Sequence, residues 1–285
     1  MIRRWAREAL GYDNSLMGVS IRNGAIRVIG SGQDEFQVTA TKDMISSFAH
    51  WLPDMDLPFS VNDEPRVLIP HQDIERMMSL AETITQSVRP RSSTFTDPND
   101  LNNGETYDRV TETRFSRLDH QLTWAHSRMT CAPDTPARSF DTEAEDAETM
   151  FSFGGVRFVH NITTFSDICL SPSVRQLIGL FNHPNVFAVS HDLLPVFSPS
   201  KLSSFHDILY PSPYYYAEKT VYDQDSAVEW DDKKPKLYWR GATSGGYSQG
   251  GSWRTLLRQS ILSKLMSVDR VRVLSRLGEG SDFRI

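Results

Sequence analysis

The chain has 285 residues, 39% of them hydrophobic and 23% charged, which suffices for one large domain or two modest ones. Its formal net charge of -6 at pH 7 argues against broad nucleic-acid binding, because a phosphate backbone requires a basic face. The sequence has no apolar run long enough to span a bilayer, and its opening MIRRWAREALGYDNSL lacks the apolar centre of a signal peptide. We therefore expect no nucleic-acid partner and no membrane span.

The N-terminal part predicts strands, a helix and a long polar segment. Apolar and polar residues alternate around Asn23-Gly24, which predicts a β-hairpin. From Thr41, apolar residues at helical spacing predict a helix that ends before Pro53. The stretch LPDMDLPFSVNDEPRVLIP, residues 52–70, predicts two short extended pieces around an acidic turn. A polar surface excursion is expected over about residues 85–113.

The C-terminal part predicts a βαβ unit. Ser171 is expected to cap a helix, and NVFAVS and LLPVFS are expected to form buried strands. Residues 236–239 then predict a strand, residues 241–251 a glycine-rich loop, Ser252 the cap of a helix and Val271 the start of another strand. This order implies a right-handed crossover in a parallel sheet.

Two features bear on the cellular compartment. Asn161 begins the tripeptide NIT, which is an acceptor for N-glycosylation. The two cysteines, Cys131 and Cys169, could pair, but two buried free thiols are the commoner interpretation in a reducing compartment.

The glycine-rich loop is a candidate anion site. Ligands of open α/β sheets bind at the carboxyl ends of strands, where helix starts present free N–H groups. Arg240 enters the loop directly from the predicted strand, and Arg254 and Arg258, four residues apart, share one helix face. This arrangement predicts a pyrophosphate cradle, but it matches neither the Rossmann fingerprint nor a P-loop. On this motif alone, an ordinary flexible loop before a helix is the favoured alternative.

Carboxylates and aromatics supply two further candidate groups. Asp54, Asp56, Asp63 and Glu64 are close in sequence, and a carboxylate at a strand end can act as a general base. Taken alone, these residues more often form a tight turn.

The stretch SFHDILYPSPYYY, residues 204–216, combines aromatic rings with His206, Asp207 and Tyr210. Such rings suit carbohydrates, nucleobases and core packing alike, and a histidine beside an aspartate is more often structural. No spacing typical of a metal site and no nucleophile elbow is present in the sequence, so no metal is expected.

Three motifs in order resemble glycosyltransferase family 90, the group of fungal capsule-associated-protein type transferases and animal protein O-glucosyltransferases. They are LPDMDLPFSVNDEPRV, HDILYPSPYYY and KLYWRGATSGG with SWRTLLRQ, and together they span roughly residues 48–259. The fungal branch is closer, since its members carry an NDEPR-like turn and a WRG before a glycine-rich loop. The resemblance implies an α/β fold of GT-B type, in which two Rossmann-like domains enclose a cleft. It also implies inverting transfer of a sugar, such as xylose or glucose, from a UDP-sugar to a hydroxyl of a glycan or glycoprotein, with no cofactor and no metal-binding DxD motif.

The resemblance implies roles for individual residues. Asp63 matches the family's aspartate base, and Arg240 would stabilise the departing diphosphate. Ala242 departs from a serine of the O-glucosyltransferase branch, so no side-chain contact is implied there. The implied donor-binding residues are Arg240, Gly241, Ala242, Ser244 and Arg254, with Arg258 as the alternative to Arg254. The expected acceptor-binding or cleft-lining residues are His206, Asp207 and Tyr210.

Residues 1–230 are expected to form the acceptor-side α/β domain, and residues 236–285 to begin the nucleotide-sugar-binding Rossmann-like domain. Since that domain needs several βαβ units, a truncated family member with poor activity by itself is expected. The family acts in the lumen of the endoplasmic reticulum or Golgi. Two alternatives stay open: an inactive remnant or carbohydrate-binding module, and a glycosidase that uses Asp56 and Asp63.

Overall fold

Short strands and short helices alternate along the chain. The computed structural model describes residues 16–29, 35–85, 115–139, 146, 149–153, 156–184, 188–217, 223–236, 238, 240–242, 244–247, 252–265, 270–274 and 280–284. Its strands are β1 (Leu16–Arg22), β2 (Ala25–Ile29), β3 (Met55–Ser60), β4 (Phe115–Arg117), β5 (Met150–Phe153), β6 (Val156–Val159), β7 (Ala188–Ser190), β8 (Phe197–Ser198), β9 (Ile208–Leu209), β10 (Arg270–Leu274) and β11 (Gly280–Arg284). Its α-helices are α1 (Glu35–Ser46), α2 (His71–Thr85), α3 (Trp124–Arg128), α4 (Ile162–Ser166), α5 (Gly179–Asn182), α6 (Pro213–Tyr216) and α7 (Leu257–Leu265). Its 3-10 helices are Ala49–Trp51, Pro136–Arg138, Pro172–Gln176, Trp230–Asp232 and Ser252–Thr255.

A five-stranded sheet in the order β2-β1-β3-β8-β9 joins the N-terminal strands to strands more than a hundred residues later. β1 pairs antiparallel with both β2 and β3. β3 pairs parallel with β8, and β8 pairs parallel with β9. The sheet is therefore mixed, and the predicted α/β class is confirmed. Because β3, β8 and β9 are parallel, their carboxyl ends lie at one edge of the sheet.

The predicted hairpin is present. Asn23 and Gly24 have φ values of 49° and 76°, the positive values that a two-residue type I′ turn requires. Asp54 supports the turn from β3's side, because its Oδ1 accepts a hydrogen bond of 2.7 Å from the backbone N–H of Asn23.

Helices cover both faces of the sheet. Met17 and Ile21 of β1 are buried on one face in the same cluster as Ile45 of α1. Leu16 belongs to the opposite face, since neighbouring side chains alternate along a strand, and its cluster packs against Ile74 of α2. Burying an aliphatic side chain of this size stabilises the fold by about 1.5–3 kcal/mol, so these two clusters fix the sheet between α1 and α2.

The predicted helix at residues 41–52 has different limits. α1 begins earlier, at Glu35, and ends at Ser46, before a separate 3-10 turn. The hydroxyl of Ser46 donates to the carbonyl of Lys42 (2.7 Å), and that of Ser47 donates to the carbonyl of Met44 (2.6 Å). These side chains bond the carbonyls of the last turn, and the helix ends at Ser46, six residues before the predicted limit at Leu52.

The other predicted elements have mixed outcomes. The stretch 52–70 contains β3 and an extended piece in which Val67 bridges Ser190, as predicted. Ser171 precedes a 3-10 helix rather than an α-helix, and its hydroxyl donates to the carbonyl of Thr164 instead of capping the helix.

The predicted strands in NVFAVS and LLPVFS are present as β7 and β8. The predicted polar excursion lies outside the described residues from residue 86 onward.

The predicted parallel βαβ unit is wrong. Lys236 and Tyr238 are exposed and belong to no strand, and the N–H of Lys236 donates locally to the carbonyl of Lys234 (2.7 Å). The predicted helix is present, although it begins as the 3-10 turn at Ser252. The strand at Val271 is β10, which pairs antiparallel with β11. An antiparallel pair needs only a short connection, whereas a parallel pair needs a long crossover. β10 therefore pairs with β11, the strand that follows it directly in the chain.

The cysteines form a disulfide, so the expectation of free thiols is wrong. Cys131 and Cys169 have Cα atoms 5.4 Å apart and are separated by 38 residues. Both lie in an apolar cluster with Trp124, Ile168 and Phe181. The bond therefore links two irregular segments that surround one buried cluster.

The loop at residues 244–247 packs closely on α5. A Cβ added at Gly179 would lie 1.6 Å from the carbonyl oxygen of Gly245. The N–H of Tyr247 donates to the carbonyl of His183 (2.6 Å), and its ring stacks on His120 with centroids 3.9 Å apart. The loop at residues 244–247 is thus held against α5 by backbone contact.

We predict that the native chain contains no titratable thiol and gains two after unfolding in reductant. Reduction should lower the free energy of unfolding by about 3–4 kcal/mol, because a loop of this length gains entropy in the unfolded chain. Thiol titration and urea denaturation with and without dithiothreitol measure both effects. Two reactive thiols in the unreduced, denatured chain would contradict the disulfide.

We predict that Gly179→Ala lowers the free energy of unfolding by about 1–3 kcal/mol, because the new methyl group clashes with the Gly245 backbone. Gly18→Ala is the matched control, since its Cβ would meet Ile29 at an ordinary 3.6 Å. Urea denaturation of the two variants compares them, and equal effects would show that the close approach at Gly179 is not formed.

Candidate functional site

A buried extended segment, residues 66–68, connects the acidic turn to the rest of the molecule. On one side, the N–H of Ser190 donates to the carbonyl of Arg66 (2.8 Å), and the N–H of Leu68 donates to the carbonyl of Ser190 (3.0 Å). On the other side, the N–H of His206 donates to the carbonyl of Val67 (2.8 Å). Nδ1 of His191 lies 3.0 Å from the carbonyl oxygen of Leu68. The segment thus lies between β7 and the start of β9.

Asp207 completes this arrangement with its side chain. Its Oδ1 accepts from the N–H of Arg66 (2.8 Å) and from the hydroxyl of Ser198 (2.6 Å), and its Oδ2 accepts from the N–H of Val67 (2.9 Å). The residue is only 2% exposed. We call this set of bonds the Asp207 clamp. A buried carboxylate with three donors acts as a structural anchor, so the placement of Asp207 favours positioning over direct ligand contact.

Arg66, the arginine of the NDEPR turn, is fully buried and brings a positive charge to the same region. Its Nη1 donates to the carbonyl of Ala188 (3.0 Å), and its Nε donates to the hydroxyl of Ser60 (3.4 Å). The side chain therefore connects the end of β3 to β7, while its backbone is held by the Asp207 clamp.

The carboxyl edge of the three parallel strands carries the predicted base. Asp63 follows β3 by three residues and is exposed. Its carbonyl oxygen accepts a hydrogen bond from the hydroxyl of Ser200, which follows β8. Tyr210 follows β9 directly, and its hydroxyl donates to the carbonyl of Ser60 (3.4 Å). Residues from three neighbouring strand ends thus meet at the edge where open α/β sheets bind ligands.

The negative charge of Asp63 contributes to the raised pKa of Tyr210. Burial raises the pKa of Tyr210 above its ordinary value, a hydrogen bond with Thr41 opposes this shift, and the negative charge of Asp63 adds to it. Tyr210 is 8% exposed and packs edge-to-face on Phe59, with ring centroids 5.1 Å apart. At neutral pH it is therefore a neutral phenol beneath an exposed carboxylate, and most of its ring belongs to the core.

His206 lies beside the clamp in a neutral form. Burial lowers the pKa of His206, the positive charge of Lys201 lowers it further, and the negative charge of Asp207 opposes the shift. Its Nε2 is shielded from solvent and has no hydrogen-bond partner among the described residues. Of the three predicted acceptor residues, His206 is the one that retains a polar atom for a new contact.

Four of the predicted donor-binding residues lie on the loop after residue 239, and the fifth, Arg254, lies in the 3-10 helix Ser252–Thr255. The five positions Arg240, Gly241, Ala242, Ser244 and Arg254 are all exposed. Arg258 holds this loop, because its Nη1 donates to the hydroxyl of Ser244 (2.8 Å) and to the carbonyls of Ala242 and Ser244 (3.3 Å each). The structure thus gives Arg258 a structural contact with this loop.

Asp56 is an ion-pair partner. Its carboxylate binds Nη2 of Arg22 (2.9 Å) and accepts from the hydroxyl of Ser20 (2.8 Å), both on β1. It is the second residue of β3, whereas Asp63 lies past the end of that strand, and the four residue steps from Asp56 to Ser60 alone span about 13 Å. A pair of glycosidase carboxylates stands about 5–10 Å apart, so the glycosidase alternative finds no support.

No protein-family model matches this chain, and neither does any curated protein or solved structure. Within the described ranges, no three His, Cys, Asp or Glu side chains are grouped so that they could hold a metal ion. None of the described helices has both the length and the apolarity to cross a bilayer.

Sequence reasoning missed Arg66, Ser198 and Ser200. Arg66 stands inside the otherwise apolar run PRVLIP, and an arginine in a buried strand requires polar partners. An arginine inside this apolar run could therefore have identified Arg66 from the sequence. Ser198 is the last residue of a two-residue strand and Ser200 follows that strand. Neither serine carries a distinctive sequence pattern, so only the tertiary contacts identify them.

We predict that Asp207→Asn lowers the free energy of unfolding by about 2–4 kcal/mol, because an amide NH₂ would face one of the three donors of the clamp. Asp63→Asn is the matched control and should change stability by less than about 0.5 kcal/mol, since Asp63 is exposed. Urea denaturation at pH 7 compares the two. Equal stability of both variants would show that the clamp is not formed.

Proposed function

We propose that the chain acts as an inverting glycosyltransferase that uses a UDP-sugar donor, with Asp63 as general base. The observation that carries the proposal is the position of Asp63, an exposed carboxylate at the carboxyl edge of three parallel strands. Its carbonyl is bound by Ser200, and the turn that contains it ends at Arg66 and Val67, whose N–H groups make buried bonds to Asp207. The motif resemblance to glycosyltransferase family 90 supplies the reaction class, and a GT-B arrangement is part of the proposal.

Asp63 performs the proton transfer. Its carboxylate accepts the proton of the acceptor hydroxyl while that oxygen attacks the anomeric carbon from the face opposite the leaving group. The bond from the anomeric carbon to the diphosphate oxygen breaks, and UDP leaves with the electron pair. An exposed carboxylate on a fixed turn can meet a hydroxyl of a bulky glycan or glycoprotein, and such a base contributes about 10²–10⁴-fold to the rate.

The loop around Arg240 supplies the donor contacts. Arg258 fixes the backbone of Ala242 and Ser244, so this loop presents Arg240 from a held position. The charges of Arg240 and Arg254 then stabilise the diphosphate as it departs. Ala242 contributes its backbone alone. The proposal requires Asp63 and this loop to contact the same donor.

The location we propose is the lumen of the secretory pathway. The Cys131–Cys169 disulfide supports it, because disulfides persist in oxidising compartments and are rare in the cytosol.

A carbohydrate-binding module is the second candidate. One observation favours it: the donor residues stand on an exposed loop that does not follow a strand of a parallel βαβ unit. Calorimetry with UDP separates the two functions. A transferase binds UDP, whereas a module that holds only the acceptor glycan does not.

We predict that the chain releases UDP from one of a panel of UDP-sugars when glycan acceptors are present, and that Asp63→Asn abolishes release while UDP affinity stays within about threefold. Arg240→Ala should weaken UDP binding about tenfold, which is about 1.4 kcal/mol. Asp54→Asn is the matched control, because Asp54 supports the hairpin turn at the other end of β3. Near-normal turnover of Asp63→Asn would refute the assignment of the base, and the absence of UDP binding by the unaltered chain would refute the transferase.

A further inference from the structure

The β5–β6 hairpin leads directly to the tripeptide Asn161-Ile162-Thr163, the single Asn-X-Ser/Thr sequence of the chain with X other than proline. Asn161 lies between β6 and α4, and all three residues of the tripeptide are exposed. The Oδ1 of Asn161 accepts from the N–H of Thr164 (3.1 Å) and so caps α4. This cap uses the oxygen of the amide, so a substituent on its Nδ2 leaves the cap intact.

The surface beside Asn161 is apolar. The backbone N–H groups of His160 and Asn161 donate to the carbonyl of Thr149 (2.9 and 3.4 Å), which holds Asn161 at the open end of the hairpin. Phe151 and Phe158 stack across the two strands with ring centroids 5.4 Å apart. Phe151 and Phe158 share one face of the hairpin and are 52% and 38% exposed, and Ile162, next to Asn161 in the chain, is 69% exposed. We call the two stacked rings of Phe151 and Phe158 the hairpin patch.

Adjacent aromatic rings that are exposed to solvent can mark a surface that contacts another group. The described structure has one attachment point next to it, Asn161, which is also an acceptor sequence for N-glycosylation. Sugars have apolar faces that stack on aromatic rings, as Phe151 and Phe158 offer here. The disulfide supplies the third observation, since the compartment that forms it is the one in which N-glycosylation takes place.

We propose that Asn161 carries an N-linked oligosaccharide and that the first sugars of this glycan cover the hairpin patch. The donor is a lipid-linked diphospho-oligosaccharide of the secretory pathway. Nδ2 of Asn161 forms a bond to the anomeric carbon of the first sugar and loses one proton, the bond from that carbon to the diphosphate breaks, and the lipid diphosphate leaves. The proposal rests on the luminal location given above but not on the transferase chemistry, so a chain that transfers no sugar can still be modified.

The test is secretion of the full chain from yeast through an added signal peptide, followed by digestion with a peptide N-glycosidase. We expect a loss of mass equal to one glycan on digestion and conversion of Asn161 to aspartate, seen by peptide mass spectrometry. Asn161→Gln and Thr163→Ala should each remove the glycan, while Thr163→Ser retains it. Thr164→Ala is the matched control outside the acceptor tripeptide and should also retain it. A secreted chain without a glycan at Asn161 would overturn the proposal.

The covering of the patch has its own readout on the same molecules. Enzymatic removal of the glycan from the folded protein should increase the fluorescence of an apolar-surface dye such as anilinonaphthalene sulfonate. In Phe158→Ser this increase should be largely lost, because one of the two stacked rings is gone. Unchanged dye fluorescence after complete deglycosylation of the unaltered chain would show that the glycan does not cover the patch.

Discussion

The fold depends on the hydrogen bonds that the buried carboxylate of Asp207 accepts. Asp207 binds two consecutive backbone N–H groups, those of Arg66 and Val67, which are more than a hundred residues away in sequence. Without these bonds the segment 66–68 would have two unpaired N–H groups on one side, and each unpaired buried group costs about 1–3 kcal/mol. The third donor, Ser198, connects the same carboxylate to β8. One side chain therefore joins three separate parts of the chain.

This constraint determines where Asp63 lies. The acidic turn begins at the end of β3 and ends at the anchored residues 66–68, so both of its ends are fixed. Ser200 binds the carbonyl of Asp63 between these ends. The carboxylate of Asp63 is exposed and held by its backbone, while that of Asp207 is buried and fully bonded. The two aspartates thus have different roles, which the sequence alone does not distinguish. Asp207 holds the turn, and Asp63 faces solvent at the strand ends.

Local patterns predicted the elements that depend on local chemistry. The hairpin followed from Asn23-Gly24, because those two residues alone satisfy the positive φ values of its turn. Long-range pairing was less accessible. The prediction of a parallel βαβ unit failed because the apolar and aromatic residues at 236–239 do not reveal whether a neighbouring strand exists. β10 instead pairs with the nearer antiparallel strand β11. Free thiols were favoured as the commoner state in a reducing compartment, although the two cysteine segments meet around Phe181. In the candidate site, the turn that contains Asp63 could be located from its residue types. The different roles of Asp63 and Asp207 could not, because they depend on which carboxylate is buried, and no short motif encodes burial.

The most direct test of this account is amide hydrogen exchange in the folded chain and in Asp207→Asn. If the Asp207 clamp positions the acidic turn, exchange at residues 61–67 should become much faster in the variant, while the amides of β1 and β2 keep their protection because their hairpin bonds are separate. Unchanged protection at residues 61–67 in Asp207→Asn would contradict the account.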